Sequence, residues 1–339
     1  MLLAGCGPGA AEPTPGPAIL PLQPRPAASR PGDLLPTVAA VGAALSGRLL
    51  FVRGGNLWLW QGANGSSLTS SGDAFQPAWS PDGARIAYIQ RAESFSDLLV
   101  VPASGGEPVR LTDAGSGSPP HSYERIYESI WAFYPAWSPD GAEIAFASQA
   151  GPPYGSPAVE YRVSLFVAPS GGAGDQQQLY ANAMGHVGRL AYAPDGATIV
   201  FAFAPVGDDA PRLYRYSRAS GAAEPLPGAP EGSYDPAFSP DGRWLAFAAR
   251  GEGRTDVFVM LAGGGTPIRL TSLGGARAPA FSPDGQLLAF LAITPGSSSF
   301  ELWVAELETG VGGAPRARPP RQVTRNMQID ADSGLSWTR

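Results

Sequence analysis

Between residues 77 and 112 short apolar runs alternate with turn residues: Pro77-Ala78-Trp79, Ile86-Ala87-Tyr88, Leu98-Leu99-Val100-Val101 and Val109-Arg110-Leu111. Each run has the length of a strand and is bounded by turn chemistry, so four strands are predicted in this window. The link between the first two, Ser80-Pro81-Asp82-Gly83, suits a tight hairpin. Proline presets φ at about −65°, aspartate bonds back to its own backbone, and glycine takes the left-handed position. A second tight turn, Ser104-Gly105-Gly106-Glu107, recurs as Ser170-Gly171-Gly172 and Gly263-Gly264-Gly265.

The whole window repeats. "PAWSPDG" at 77–83 stands again at 135–141, looser copies begin at Leu190, Pro236 and Pro279, and a partial copy begins at Leu335. Successive starts lie 58, 55, 46, 43 and 56 residues apart, and a period of this size is the mark of a repeat architecture. The shortest interval sets a unit of 43 residues, which fits a four-stranded propeller blade, and the excesses are insertions. Asp82, Asp140, Asp195, Asp241 and Asp284 therefore read as turn residues. Residues 47–69 match strands two to four of a unit whose first strand is missing, and Leu335-Ser336-Trp337 is a first strand with nothing after it. The C-terminal strand is thus predicted to complete the first blade and close an all-β, six-bladed propeller, which removes open sheet edges.

This pattern resembles the TolB-like six-bladed propeller family, whose repeats carry a W-S-P-D-G core of the kind seen at Trp79 to Gly83 and Trp137 to Gly141. The resemblance covers residues 47–339. The family includes periplasmic scaffold proteins of the cell envelope and propellers attached to prolyl-oligopeptidase-type hydrolases. It implies a binding surface for a protein or peptide partner. The copy at Leu190 departs from the pattern, with Tyr192-Ala193 in place of Trp-Ser, and irregularity is expected in that blade.

Composition narrows the class. The 339 residues read as one closed domain with a tail. The 44 glycines and 36 prolines fall largely in register with the turns and so do not signal disorder. A net charge of −6 with 15% charged residues argues against nucleic acid, which is bound by basic surfaces. All 23 basic residues are arginine, which excludes lysine chemistry. Arg316, Arg318, Arg321 and Arg325 read as a solvated turn. A monomer is expected.

The single cysteine is informative by position. "LLAGC" at residues 2–6 has the form of a bacterial lipoprotein cleavage site, with Cys6 as the lipidated residue and the membrane as a partner. A basic and apolar secretory leader is then expected upstream, and only five residues precede Cys6 here. Residues 1–6 are read as the remnant of that signal. Residues 7–46 carry nine prolines and are read as a linker of polyproline character, reaching up to about 100 Å where extended. The expected location is extracytoplasmic, in the periplasm or on the outer cell surface.

In an antiparallel blade the loops joining strands one to two and three to four share one face of the disc, and the remaining loops share the other. The tight turns fall on the first face. The long segments 113–134 and 148–164 fall on the second, where binding residues are expected because rigid scaffolds carry function on loops. Segment 113–134 is dense in aromatics, with Tyr123, Tyr127, Trp131, Phe133 and Tyr134, and Tyr154 and Tyr161 lie in the other. Tyr123, Tyr127, Ile130 and Trp131 fall at helical spacing, so a short helix is predicted there. The rings either pack the insertion onto the blades or form a recognition rim, with Glu124, Arg125 and Glu128 as its polar groups. At the mouth of the central channel, Arg189, Arg277, Asp235 and Asp332 are placed to hold a small polar ligand or water.

Catalysis has little support. There are two histidines, His121 and His186, no Gly-x-Ser-x-Gly elbow, and no cysteine or histidine cluster with zinc spacing. The acidic pairs Asp208/Asp209 and Asp330/Asp332 lack EF-type spacing and read as solvated loops. No cofactor or metal is expected. The reading is a membrane-anchored binding or scaffold protein. The alternative is a propeller hydrolase or lyase acting on a glycan or peptide, which requires His121, His186, Asp235 and Glu124 to converge.

Overall fold

A computed structural model describes residues 37–39, 44–119, 121–151, 163–172, 174–207, 210–251, 253–293, 299–310 and 313–339. Cys6, Tyr154 and Tyr161 lie outside these residues.

The strands form six antiparallel sheets arranged as the blades of a propeller. The inner strands of blades two to six are Ala74–Trp79, Ala132–Trp137, Gly185–Tyr192, Ser233–Phe238 and Ala276–Phe281. Blade one is the composite that the sequence predicts. Its inner strand is Ser336–Thr338, paired antiparallel with Leu45–Arg53 so that Trp337 stands opposite Leu49. Trp337 Nε1 also donates to Ser46 O at 2.9 Å, and Trp79 N in the next blade donates to Ser336 Oγ at 2.9 Å. The two chain ends are thereby knitted into one sheet and into its neighbour. Blade one also gains an outermost strand, Thr37–Ala39, from the stretch read as linker.

Second strands read as nearly continuous apolar runs because both faces of each blade are covered by neighbours. Phe51, Phe146, Phe201, Phe247 and Phe290 occupy this row, and none is exposed to solvent. Burying each contributes roughly 1.5–3 kcal/mol. Around the ring the core is a series of clusters between adjacent blades, such as Leu50, Val52, Trp79, Ile86 and Leu99 between blades one and two.

The Ser-Pro-Asp-Gly turns behave as predicted. Asp82 Oδ1 accepts from Ser80 Oγ and from Ala84 N, Arg85 N donates to Ser80 Oγ, and Gly83 takes φ 66°. The same pairing recurs at Ser138/Asp140, Ser239/Asp241 and Ser282/Asp284. These hydrogen bonds, with the serine hydroxyl first, hold Asp82, Asp140, Asp241 and Asp284 below the usual carboxylate range. The irregularity expected in blade four shows at this turn and at the bulge before it, where Leu190 pairs with Phe201. All four strands form there, and Asp195 keeps only the bond from Ala197 N because Ala193 has no hydroxyl. Tyr192, in the tryptophan position, instead sends its hydroxyl to Glu143 of blade three and receives Arg218 Nη1.

Candidate functional site

The first proline of each "PAWSPDG" unit sits in a β-bulge. Inner strands in blades two to six shift register one or two residues before the Ala-Trp or its equivalent. At a bulge the ladder bond is already lost, so proline costs nothing extra there. The residue before it is left-handed: Gln76 (φ 51°), Tyr134 (54°), Asp235 (54°) and Ala278 (51°), with Gly334 (73°) in the closing segment. Positive φ on ordinary residues is strained and persists only when the surroundings over-determine it.

Here the side chains at the bulges interlock. Tyr134 N donates to Gln76 Oε1 at 2.7 Å, and Ala278 N donates to Asp235 Oδ2 at 3.1 Å, so the bulge of blade two caps that of blade three and the bulge of blade five caps that of blade six. Arg189, the blade-four counterpart, donates through Nε to Asp235 Oδ1 at 2.9 Å and lies over the Tyr134 ring at 4.9 Å. Arg277 donates through Nε to Asp235 Oδ2 at 3.0 Å and through Nη1 to Asp332 Oδ1 at 2.6 Å. Arg189 also reaches the carbonyls of Asp332 and Ser333. These last two belong to a 3-10 turn, Ala331–Ser333, which leads directly into the closing strand.

Electrostatics at the mouth are balanced. Asp235 is 3% exposed, and burial alone would raise its pKa, but the guanidiniums of Arg189 and Arg277 hold the carboxyl below its ordinary value. Burial pushes the Tyr134 hydroxyl up. Arg189, Asp235, Arg277 and Asp332, the four groups placed at the mouth from sequence, do meet, and they satisfy one another. Behind them the channel encloses about 280 Å³, walled by Pro77, Trp79, Pro135, Trp137 and their equivalents.

On the insertion face, helix Tyr123–Glu128 is the predicted short helix, capped by Ser122 Oγ, which accepts from Arg125 N. It stops earlier than the spacing implies. Ser129 is extended, and Ser96 of blade two captures the next residues, donating through Oγ to Ala132 O and accepting from Ala132 N. Ile130 and Trp131 therefore leave the helix, and Phe133 joins the strand. Tyr123 is 62% exposed and shares a hydroxyl–hydroxyl bond of 2.6 Å with Tyr127, the two rings 4.9 Å apart. Trp131 and Phe133 form a separate parallel pair at 6.3 Å, and Phe133 contacts Tyr134.

The polar residues of this segment divide their work. Glu124 is exposed. Arg125 turns inward to Ser94 Oγ (2.8 Å) and Ser118 O (2.9 Å) and packs over Phe95. Glu128 accepts from Ser116 and Ser118, which lowers its pKa. Arg125 and Glu128 thus brace the loop that presents the tyrosines. The two histidines stand apart: His121 pairs with Glu93 on the surface at 2.9 Å, and His186 lies in the groove between blades three and four. No cavity among the described residues brings His121, His186, Asp235 and Glu124 together.

Sequence reasoning missed one recurrent device on this face. Asp97, Asp256 and Glu301 are buried carboxylates that each accept from a threonine at the end of the outer strand: Thr112 (2.8 Å), Thr271 (2.7 Å) and Thr324 (2.7 Å). Each threonine Oγ1 in turn receives a backbone N–H, from Leu98, Val257 and Leu302. Asn56 and Thr69 do the same in blade one. The available signal was the Leu-Thr or Val-Thr dipeptide closing these units at 68–69, 111–112, 270–271 and 323–324.

Comparison with known proteins agrees with this architecture. The TolB beta propeller domain family matches residues 134–312, more than half of the chain. The chain is 29% identical over 199 residues to the uncharacterized peptidase YuxL of Bacillus subtilis (strain 168); the match takes in 57% of the chain but only 25% of that protein's length. Among solved structures, TolB from Acinetobacter baumannii superposes with a TM-score of 0.63 at 20% identity, over 86% of this chain and 66% of that one. The nidogen/laminin complex gives 0.58 at 14% identity, over 86% and 98%, and oligogalacturonate lyase in complex with manganese gives 0.51 at 13%, over 80% and 83%. With six blades, recurrent Ser-Pro-Asp-Gly turns, C-terminal ring closure and the matched span in agreement, the chain belongs to the TolB beta propeller domain family.

Proposed function

We propose that this propeller is a membrane-anchored, extracytoplasmic binding protein whose insertion face recognises a protein or peptide. The observation that carries the reading is the braced aromatic platform. Tyr123 is 62% exposed on a helix held by Ser122, Arg125 and Glu128, with Tyr127 beside it. Tyrosine and tryptophan held rigidly at a surface are the residue types enriched in recognition hot spots. The opposite face carries tight turns that repeat nearly unchanged. The paired charges at the channel mouth serve as structural closure on this reading.

The anchor belongs to the same proposal. If the gene encodes a basic and apolar leader ahead of Met1, the protein partitions with membranes, and Cys6→Ala releases it, because stable anchoring takes more than one acyl chain. Among the described residues no helix is long and apolar enough to cross a membrane.

The test is capture of a partner from envelope extracts by the wild-type chain and by a Tyr123→Ala/Tyr127→Ala/Trp131→Ala variant. Loss of the partner with an unchanged melting curve is expected, since hot-spot truncation commonly costs about 2 kcal/mol or more. Retention of the partner by the triple variant, with loss on Arg318→Ala on the opposite face, overturns it. The hydrolase reading draws support from the word peptidase in the name of the Bacillus subtilis relative, of which the chain spans a quarter. Peptide cleavage by the purified chain that is abolished by His186→Ala would favour it.

A further inference from the structure

A cavity between blades five and six, at the ends of their second strands, encloses about 580 Å³. That volume falls within the ~300–1,000 Å³ typical of small-molecule sites. Its polar wall is drawn from both blades, with Tyr234, Arg250 and Thr255 from blade five and Arg277 from blade six. Pro211, Ile293 and Phe300 supply the apolar wall, and Gly253, Gly274 and Gly275 contribute bare backbone.

The polar groups here are cations and hydroxyls. Arg277 is fixed, because Asp235 and Asp332 hold its Nε and Nη1 and its guanidinium packs over the Tyr234 ring at 5.0 Å. Its Nη2 keeps only a long contact of 3.5 Å with Asp235 Oδ1, so donor capacity remains. Arg250 lines the same cavity, and the Arg254 side chain lies against its wall, since a Cβ on Gly274 would stand 3.0 Å from Arg254 Cδ. Among the described residues neither Arg250 nor Arg254 pairs with a carboxylate, whereas Arg110, Arg212, Arg215 and Arg269 each do. The hydroxyls of Tyr234 and Thr255 likewise have no hydrogen-bond partner among the described residues. A solvated arginine needs no partner, but these two flank a cavity that a third, locked guanidinium also lines.

We infer that this cavity binds a small organic anion, its phosphate or carboxylate group taken by Arg250, Arg254 and Arg277 and its apolar body set against Pro211, Ile293 and Phe300. The guanidinium fork matches either oxyanion in a bidentate fashion. A bare inorganic ion would leave most of the 580 Å³ empty, and a neutral molecule would make no use of three guanidiniums. The site shares no residue with the Tyr123 platform and stands or falls without it.

The probes are phenyl phosphate and phthalate, titrated into the full chain by calorimetry, with inorganic phosphate and benzyl alcohol as controls. Saturable binding of at least one organic anion is expected, with a Kd below about 1 mM that rises as salt is added. The tighter of the two identifies the oxyanion that the guanidiniums prefer. Arg250→Gln and Arg254→Gln remove exposed charges that have no carboxylate partner, so the melting curve stays in place while each weakens binding about tenfold, the loss of one charged hydrogen bond. Arg243→Gln removes the same charge from the face of the tight turns and leaves the affinity unchanged. Absence of saturable binding by both organic anions overturns the assignment, as does wild-type affinity in both Arg250→Gln and Arg254→Gln. Equal weakening by Arg243→Gln overturns it too, because the general field of the protein and not the cavity then draws the anion. If inorganic phosphate binds as tightly as phenyl phosphate, or benzyl alcohol as tightly as either anion, the cavity does not read an organic anion and the assignment falls.

Discussion

Arg189 Nε lies 2.9 Å from Asp235 Oδ1, and through this pair blade four grips blade five at the mouth of the channel. Asp235 grips blade six as well, through Arg277 at 3.0 Å and Ala278 N at 3.1 Å. Removing one member of a buried charge cluster leaves the rest uncompensated. Asp235→Ala is therefore expected to destabilise the fold by about 3–5 kcal/mol, read as a lowered urea midpoint. A change below about 0.5 kcal/mol would show the mouth to be decorative.

The same carboxyl sets a pH dependence. Its folded pKa lies below the unfolded value of about 3.9, so its contribution is present above that value and is lost as pH falls through the folded pKa. Urea midpoints measured from pH 6 downward should fall more steeply below about pH 4 in wild type than in Asp235→Asn. The turn carboxylates Asp82, Asp140, Asp241 and Asp284 titrate in the same direction and remain in both proteins, so the difference isolates Asp235. Identical slopes would refute the assignment.

Ring closure has a point test in Gly334. Its φ is 73°, and a Cβ there would stand 2.4 Å from Arg189 Nη1. Gly334→Ala forces either the backbone or the arginine to move and is expected to cost about 1–3 kcal/mol. Deleting residues 333–339 removes the closing strand altogether and should abolish cooperative melting. A truncated chain with the wild-type melting temperature would mean that the ring holds without its closing strand.

The threonine–carboxylate device predicts that Thr271→Val destabilises by about 1–3 kcal/mol. The substitution keeps the volume but strands the N–H of Val257 and removes one donor from Asp256 Oδ1, which keeps those of Leu273 N and Gly274 N. Thermal melts of Thr271→Val beside Thr309→Val, at the exposed end of an outer blade-six strand pair, give the comparison; equal effects would deny the device any special role.

Blade four offers a gain. Ala193 occupies the serine position of the turn, with Asp195 already placed as at the other turns. Ala193→Ser restores the bonds to Asp195 Oδ1 and Thr198 N and is expected to raise stability by about 0.5–1.5 kcal/mol. Chemical denaturation reads it directly, and a loss of stability would mean that Tyr192 has repacked the turn around alanine.

By itself the sequence determined the number of blades, the chemistry of their turns and the closure of the ring. These rest on local rules, the period of apolar runs and the φ preferences of proline and glycine, repeated often enough that register was unambiguous. It also placed Arg189, Asp235, Arg277 and Asp332 near the channel, because Arg189 and Asp235 immediately precede the repeated core of an inner strand and Arg277 and Asp332 lie close before theirs. Only the tertiary structure decided that they neutralise one another, since their contacts span three blades and the closing segment and depend on bulges that push ordinary residues to positive φ. It likewise decided where the insertion helix ends. Helical spacing runs on through Trp131, but two hydrogen bonds from Ser96 in the preceding blade outweigh a helix of six residues, and so the chain is drawn into the sheet.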